Sequence, residues 1–341
     1  MENHFEKHYR TASIFILLFL TSCSLFDNEQ IPECLQKEGE QTPDIGGCYN
    51  PLYFTRPDWH PEGEWIAAQH ADSLDTNEDG EKDTWFVGIW LVHAETGQTQ
   101  PLLPFGGAPD WNPAGTHLAI HAGGGIYAVE ITSLKPARYD TASVTLLTDF
   151  NAPAFYPTWS GDGEWIAFDT NYKDKKGANV IWKIKKDGSQ LTDISIHQIG
   201  EWRFPSWSTS SSKITFGRYV TGGAEGPEIF SMNADGTGAK QLTSNGENYL
   251  PKFSPDGNKI IYEHWPEGLS KSIRMMDSDG SNKKVLAKDW SSDMAWSPDG
   301  EKIVYVFSNH YYERPGNGQL WIMNADGSNK KQLTNFKSTM P

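Results

Sequence analysis

Residues 251–264 read PKFSPDGNKIIYEH, and residues 272–286 read SIRMMDSDGSNKKVL. In the first string an aromatic residue, Phe253, precedes Ser254-Pro255-Asp256-Gly257, and the apolar run Ile260-Ile261-Tyr262 follows. Pro at the second turn position and Gly where φ is positive make a tight reversal. Period-two patterning with β-branched and aromatic content on both sides of the turn reads as strand, not helix. The second string supplies a further short run and another Asp-Gly turn.

The same unit recurs along the chain. Copies are PDWHPEGEWIAAQ at Pro57, PDWNPAGTHLAIH at Pro109, PTWSGDGEWIAFDT at Pro157, PSWSTSSSKITFGR at Pro205 and MAWSPDGEKIVYVF at Met294. The aligned aromatics Trp59, Trp111, Trp159, Trp207, Phe253 and Trp296 are spaced by 52, 48, 48, 46 and 43 residues. That is the period of a propeller blade. Within a unit, strand a surrounds the aromatic residue and strand b is the run after the turn. Strand c is a segment such as Ile229-Phe230-Ser231-Met232. Strand d carries a terminal Leu-Thr, as at Leu147-Thr148, Leu191-Thr192, Leu242-Thr243 and Leu333-Thr334. The expectation is an all-β, six-bladed β-propeller of four-stranded antiparallel blades over residues 51–341.

These strings resemble the TolB-like propeller repeat, a relative of the WD repeat family, over residues 56–335. Copies one, two and four depart from the pattern at His60, Asn112 and Thr209-Ser210-Ser211-Ser212. The resemblance implies blades set radially around a channel, with protected sheet edges.

Antiparallel order puts the a–b and c–d turns on one face of the disc, and the b–c loops and d–a links on the other. The first face is expected to hold six sets of near-minimal turns. The second holds the long, variable connections at 69–83, 171–179, 220–227, 264–270 and 309–318, and function concentrates on such loops. Stepping three to five residues back from each aromatic gives mouth candidates Arg56, Tyr156, Trp202, Arg203, Phe204, Tyr249 and Asp293. Trp265 and Trp290 lie farther out on the same face. Trp, Tyr and Arg are enriched in binding hot spots, with Phe204 and Tyr156 also open to a packing role between blades. The repeat Trp residues share one structural position and read as core. The Asp residues of the turns, Asp162, Asp187, Asp235, Asp256, Asp279, Asp299 and Asp326, are turn formers, and His117 and His121 are structural.

One loop carries a sharper motif. Asp75-Thr76-Asn77-Glu78-Asp79-Gly80-Glu81-Lys82-Asp83 places oxygens at positions one, three, five and nine, with Gly at six. That is calcium-loop logic, so Asp75, Asn77, Asp79, Glu81 and Asp83 are candidate ligands for a structural Ca²⁺. The alternative is a solvated acidic hairpin tip. Phe86 stands where an EF-hand has its bidentate Glu.

The N-terminal segment is of another kind. Ala12–Leu20 is an apolar run, too short to cross a bilayer core of about 30 Å as a helix, and follows a polar stretch containing Lys7 and Arg10. It reads as a secretory signal over residues 1–22. Leu20-Thr21-Ser22-Cys23 resembles a bacterial lipoprotein cleavage box, which would make Cys23 the acylated residue and anchor the chain by buried acyl chains. The plainer alternative is an ordinary signal with an incidental Cys. Under the sorting rule of such lipoproteins, the resemblance implies the outer membrane, since Ser24 rather than Asp follows the Cys. Residues 23–50 read as a polar tether. Cys34 and Cys48 read as a disulfide, stabilising by roughly 3 kcal/mol in the chain-entropy model, since an oxidising compartment disfavours the alternative of free thiols.

The formal charge is −15, from 44 acidic and 29 basic residues. Such a surface argues against nucleic acid, whose phosphates need Lys and Arg. No Gly-x-Ser-x-Gly elbow and no His-Glu-x-x-His motif occurs. The functional expectation is a non-enzymatic, membrane-anchored envelope protein that binds a protein or glycan through the b–c face. A polysaccharide lyase or glycosidase, and a structural subunit of an envelope complex, are the competing readings.

Overall fold

The computed structural model describes residues 53–74, 84–148, 152–173, 178–195, 200–219, 226–244, 246–266, 270–288, 290–308 and 318–335. Blade 1 comprises β1 (Tyr53–Trp59), β2 (Trp65–Leu74), β3 (Thr84–His93) and β4 (Thr99–Leu103). Blade 2 comprises β5 (Gly107–Trp111), β6 (His117–Ala122), β7 (Gly125–Leu134), β8 (Ala137–Tyr139) and β9 (Thr145–Leu146). Blade 3 has β10 (Ala154–Trp159), β11 (Trp165–Thr170), β12 (Val180–Lys185) and β13 (Thr192–Asp193). Blade 4 has β14 (Trp202–Trp207), β15 (Lys213–Tyr219), β16 (Pro227–Asn233) and β17 (Lys240–Gln241). Blade 5 has β18 (Asn248–Phe253), β19 (Lys259–His264), β20 (Ser272–Asp277) and β21 (Lys284–Ala287). Blade 6 has β22 (Ser291–Trp296), β23 (Lys302–Phe307), β24 (Gln319–Asn324) and β25 (Lys331–Gln332). Each sheet is antiparallel and built from consecutive strands. The all-β, six-bladed propeller expected from the repeat is the fold observed.

Each blade is covered on both faces, and its alternation therefore feeds two interfaces rather than one core and one solvent face. In β23, Ile303 and Tyr305 pack towards blade 5, while Val304 and Val306 pack towards blade 1. In β2, Trp65 and Ala67 face blade 2, while Ile66 and Ala68 face blade 6. This explains unbroken apolar runs in short strands. The six repeat aromatics are all buried, from Trp159 at 4% to Trp296 at 9% exposure.

The first strands β1, β5, β10, β14, β18 and β22 each contact the next, and β22 contacts β1, so they form a closed inner ring. The ring closes by packing. Phe54, Trp59 and Trp90 of blade 1 share a core with Ala295, Val304, Val306 and Leu320 of blade 6. No strand is exchanged between the first and last described sheets. The Phe54 amide donates to the Gly318 carbonyl across the seam at 2.9 Å.

The turns follow their sequence chemistry. Lys259 N donates to Ser254 Oγ at 2.9 Å, Ser254 Oγ donates to Asp256 Oδ1 at 2.5 Å, and Gly257 takes φ 72°. Ser160/Asp162 and Ser297/Asp299 repeat the hydroxyl–carboxylate contact. The Leu-Thr signature needs one correction. Its Thr sits beyond the fourth strand in blades 2, 4 and 6. There Thr148, Thr243 and Thr334 are buried and their Oγ1 atoms accept from Ile126, Ile229 and Leu320 N, each at 2.9 Å. The hydroxyl satisfies an amide at the start of the third strand, a buried donor that would otherwise be costly.

A second correction concerns the turn face. Blade 2 does not make a minimal c–d turn there. Strand β7 runs on into a hairpin with β8, a 3₁₀ turn at Thr141–Ser143 follows, and β9 then pairs with β7 as the true fourth strand. Gln100 of blade 1 clamps this excursion, donating to Leu134 O at 2.6 Å and accepting from Ala137 N at 3.0 Å. The excursion covers the rim of blade 1, where Lys135 lies 5.5 Å over the Trp65 ring. Burying that rim is the physical reason one turn is long.

Candidate functional site

The inner ring carries one conformational feature in all six blades. Arg56, Ala108, Tyr156, Phe204, Leu250 and Asp293, each three residues before a repeat aromatic, have φ between 42° and 58°. The pairing register of the first two strands shifts at every one of them. These are β-bulges, with non-glycine residues held in the left-handed region at a cost of order 1–3 kcal/mol each. The same six residues, with Pro57, Pro109, Pro157, Pro205, Pro251, Lys252 and Met294, line a central cavity. It holds about 460 Å³ of atom-free space, part of it open solvent.

Side chains of one blade hold the backbone of the next at two levels. Asp58 Oδ2 accepts from Trp111 N and Asp110 Oδ2 from Trp159 N, both at 2.8 Å, and Thr158 Oγ1 accepts from Trp207 N at 3.2 Å. One layer nearer the mouth, Gln69 Oε1 accepts from Ala108 N at 3.3 Å and Asp169 Oδ2 from Phe204 N at 2.9 Å. Two of the strained residues, Ala108 and Phe204, are thus pinned from the preceding blade. Asp169 is fully buried, and desolvation pushes its carboxyl up to about 7. Desolvation, with Asp58 nearby, raises Asp110 to about 8. Carboxylates committed to amide hydrogen bonds in this way join blades.

Across the shaft, Lys252 of blade 5 reaches Asp110 of the opposite blade 2 at 3.8 Å. At the mouth, Arg56 Nε pairs with Asp293 Oδ1 at 3.0 Å, and Arg56 Nη2 donates to the Tyr156 hydroxyl at 3.2 Å. The guanidinium carbon lies 4.7 Å from the Tyr156 ring centre. An aromatic arc continues from Tyr156 to Phe204, 4.7 Å between centroids, and on to Tyr249 at 6.5 Å. Arg203 sits over Phe204 and pairs with Glu201 at 3.4 Å. Burial raises the Tyr249 hydroxyl to about 12. On the outer side, Lys271 bridges Glu263 Oε1, at 2.8 Å, and the Trp265 ring, at 4.5 Å. The Trp290 amide donates to Lys271 O at 3.1 Å.

Of the residues expected at the mouth, Arg56, Tyr156, Arg203, Tyr249 and Asp293 are brought together there, with Trp265 and Trp290 half-buried beside them. Trp202 is a correction. It is fully buried, stacked 4.4 Å from Phe216 between blades 3 and 4. The bulge at Phe204 shifts the alternation by one residue and turns Trp202 into the interblade core; stepping back three to five residues takes no account of which side of the strand each residue faces. Sequence reasoning missed Gln69, Asp58, Asp110, Asp169 and Lys252. The signal available was positional: Asp58, Asp110 and Lys252 each directly precede a repeat aromatic, where Thr158 and Ser206 stand in other copies. His121 faces Phe155 and Tyr156 in the wall, and burial lowers its imidazole to about 4.

The candidate calcium loop (Asp75, Asn77, Asp79, Glu81, Asp83), the candidate acylation residue Cys23 and the Cys34/Cys48 pair lie outside the described residues. Among the described residues, no group of three His, Cys, Asp or Glu side chains is placed to hold a metal ion, and no helix is long and apolar enough to cross a membrane.

A model of the TolB beta propeller domain matches residues 87–290. The chain belongs to the TolB β-propeller family. It is 31% identical over 126 residues to the protein TolB homolog of Chlorobium chlorochromatii, covering 36% of this chain and 26% of that protein. It is 30% identical over 109 residues to the Tol-Pal system protein TolB of Anaeromyxobacter dehalogenans, covering 31% of this chain and 24% of that one. These matches span about a quarter of the two TolB proteins' own length. The crystal structure of TolB from Acinetobacter baumannii superposes with a TM-score of 0.57 at 19% identity, covering 81% of this chain and 61% of that one. That likeness shows the shared propeller fold.

Proposed function

We propose that this TolB-family propeller is a cell-envelope binding protein, tethered to a membrane through an acylated Cys23, that grips a partner protein with the channel mouth. The observation that carries the reading is the mouth itself. Half-buried Tyr156, Phe204 and Tyr249 lie beside Arg56, Arg203 and Asp293 on a rigid ring of strands. Aromatic and Arg anchors around a central depression have the make-up of a binding hot spot. The Tol-Pal name of a relative supports an envelope setting.

The test places a photo-crosslinking residue at Arg203, on the mouth, and separately at Asp279, on the turn face, in the membrane-bound protein. A discrete adduct from Arg203 alone supports the reading; adducts from Asp279 alone would reverse the assignment of faces. Cys23→Ala should release the protein from the membrane fraction and abolish palmitate labelling. Calcium at residues 75–83 is proposed as a structural ion of the segment between β2 and β3. Calorimetry should show Ca²⁺ binding that Asp79→Ala abolishes.

A further inference from the structure

We propose that the mouth recognises a cationic side chain of the partner, a guanidinium or alkylammonium group, in a subsite that the protein's own Arg56 fills in the free state. The proposal rests on reading the mouth as the partner-binding face and adds the chemistry of what enters it.

Charge along the shaft is the first observation. Four cations each face one carboxylate: Arg56 with Asp293 at 3.0 Å, Arg203 with Glu201 at 3.4 Å, Lys271 with Glu263 at 2.8 Å, and Lys252 with Asp110 at 3.8 Å. Each of these carboxyl groups is thus met by one cation, while burial holds Asp58 and Asp169 towards the neutral form, in which they serve as hydrogen-bond acceptors. Glu263 is 2% exposed, and its Oε2 atom has no hydrogen-bond partner among the described residues. A cation entering the mouth finds in Glu263 Oε2 a buried acceptor without a donor among the described residues, which an anion cannot use.

The wall is the second observation. Tyr156, Phe204 and Tyr249 are half-buried in an arc of ring contacts. Aromatic faces attract cations, and guanidinium groups stack on them. Arg56 is the third. Its guanidinium already lies over the Tyr156 ring, hydrogen-bonds the hydroxyl and pairs with Asp293. It does so from a backbone held at φ 52°, a conformation costly for any residue but glycine or asparagine. The protein thus displays a working guanidinium site whose occupant is its own. A cation from the partner would take its place and share the central cavity.

The experiment uses the purified full-length protein and three probes: N-acetyl-arginine amide, N-acetyl-lysine amide and N-acetyl-glutamate amide, followed by NMR or calorimetry at millimolar concentration. The two basic probes should bind and the acidic one should not. Arg56→Gly keeps a residue suited to the positive φ and removes the internal competitor, so arginine amide should bind at least fivefold more tightly. Asp293→Asn should weaken it at least tenfold. Tyr156→Leu, which leaves both charged groups in place, should weaken it at least fivefold and gives a reading if the charge variants fail to fold. Preference for the acidic probe, or loss of binding in Arg56→Gly, would show an anion site and overturn the proposal. Displacement of arginine amide by Ca²⁺ as effectively as by lysine amide would reduce the site to bare charge and also overturn it. Partner cross-links at Arg203 without any binding of the basic probes would leave the mouth as the working face and remove the cation assignment alone.

Discussion

Asp169 and Asp110 are acids placed where a carboxylate is costly, and this gives the molecule a pH dependence of defined sign. Burial raises Asp169 to about 7 and Asp110 to about 8, against an ordinary value near ~3.9. Their contribution to stability is full below the unfolded value and is lost as pH rises through the folded one. His121 and His264 are lowered by burial to about 4, against an ordinary value near ~6.5. Their contribution is present above that value and is lost as pH falls through the folded one. The two slopes oppose each other between pH ~4 and ~6.5. Above that window only the carboxyl slope remains. The thermal midpoint should therefore fall from about pH 6.5 to 8, and Asp169→Asn and Asp110→Asn should each flatten the fall. An unchanged slope in both variants would show that neither carboxyl titrates in this range.

At the scale of the element, a blade depends on what its turns and edges touch as well as on its own hairpins. A Cβ added at Gly161 would lie 2.1 Å from the Thr209 carbonyl oxygen of the next blade. The obstacle is backbone and cannot swing aside. Gly161→Ala should cost about 1–3 kcal/mol, read as a lower urea midpoint. Gly163→Ala in the same turn meets no steric obstacle closer than Pro113 at 3.6 Å. Its cost should come from its positive φ alone. The turn glycine could be seen in the string SGDG; its neighbour across the blade boundary could not, because contacts 48 residues apart in the chain leave no local trace. The β7–β8 hairpin was hidden for a related reason. Ile131 to Tyr139 carries strand-like residues on both sides of Lys135-Pro136, and only the rim of blade 1 decides that they fold back rather than turn once.

Over the whole molecule, closure is the vulnerable step. Since no strand is shared across the seam among the described sheets, blades 1 and 6 cohere through apolar packing, the Phe54–Gly318 hydrogen bond and the Arg56–Asp293 ion pair. Phe54 is fully buried there. Phe54→Ala should cost about 3–5 kcal/mol while retaining one cooperative transition, because every blade depends on two neighbours. Two separated transitions in urea would instead show the seam opening before the ring unfolds.

Blade number, strand identity, turn chemistry and the buried repeat aromatics were legible in the chain, because each is set by spacing and by local backbone preference. Arg56, Tyr156, Arg203, Tyr249 and Asp293 were legible for the same reason, being offsets from a repeated aromatic. The inward turn of Trp202, the carboxylates that stitch one blade to the next, the meeting of Lys252 with Asp110 and the manner of ring closure belong to tertiary structure alone. Each depends on a bulge that changes the phase of a strand, or on side chains from distant repeats converging on one axis. Neither relation is written in the order of residues along a strand.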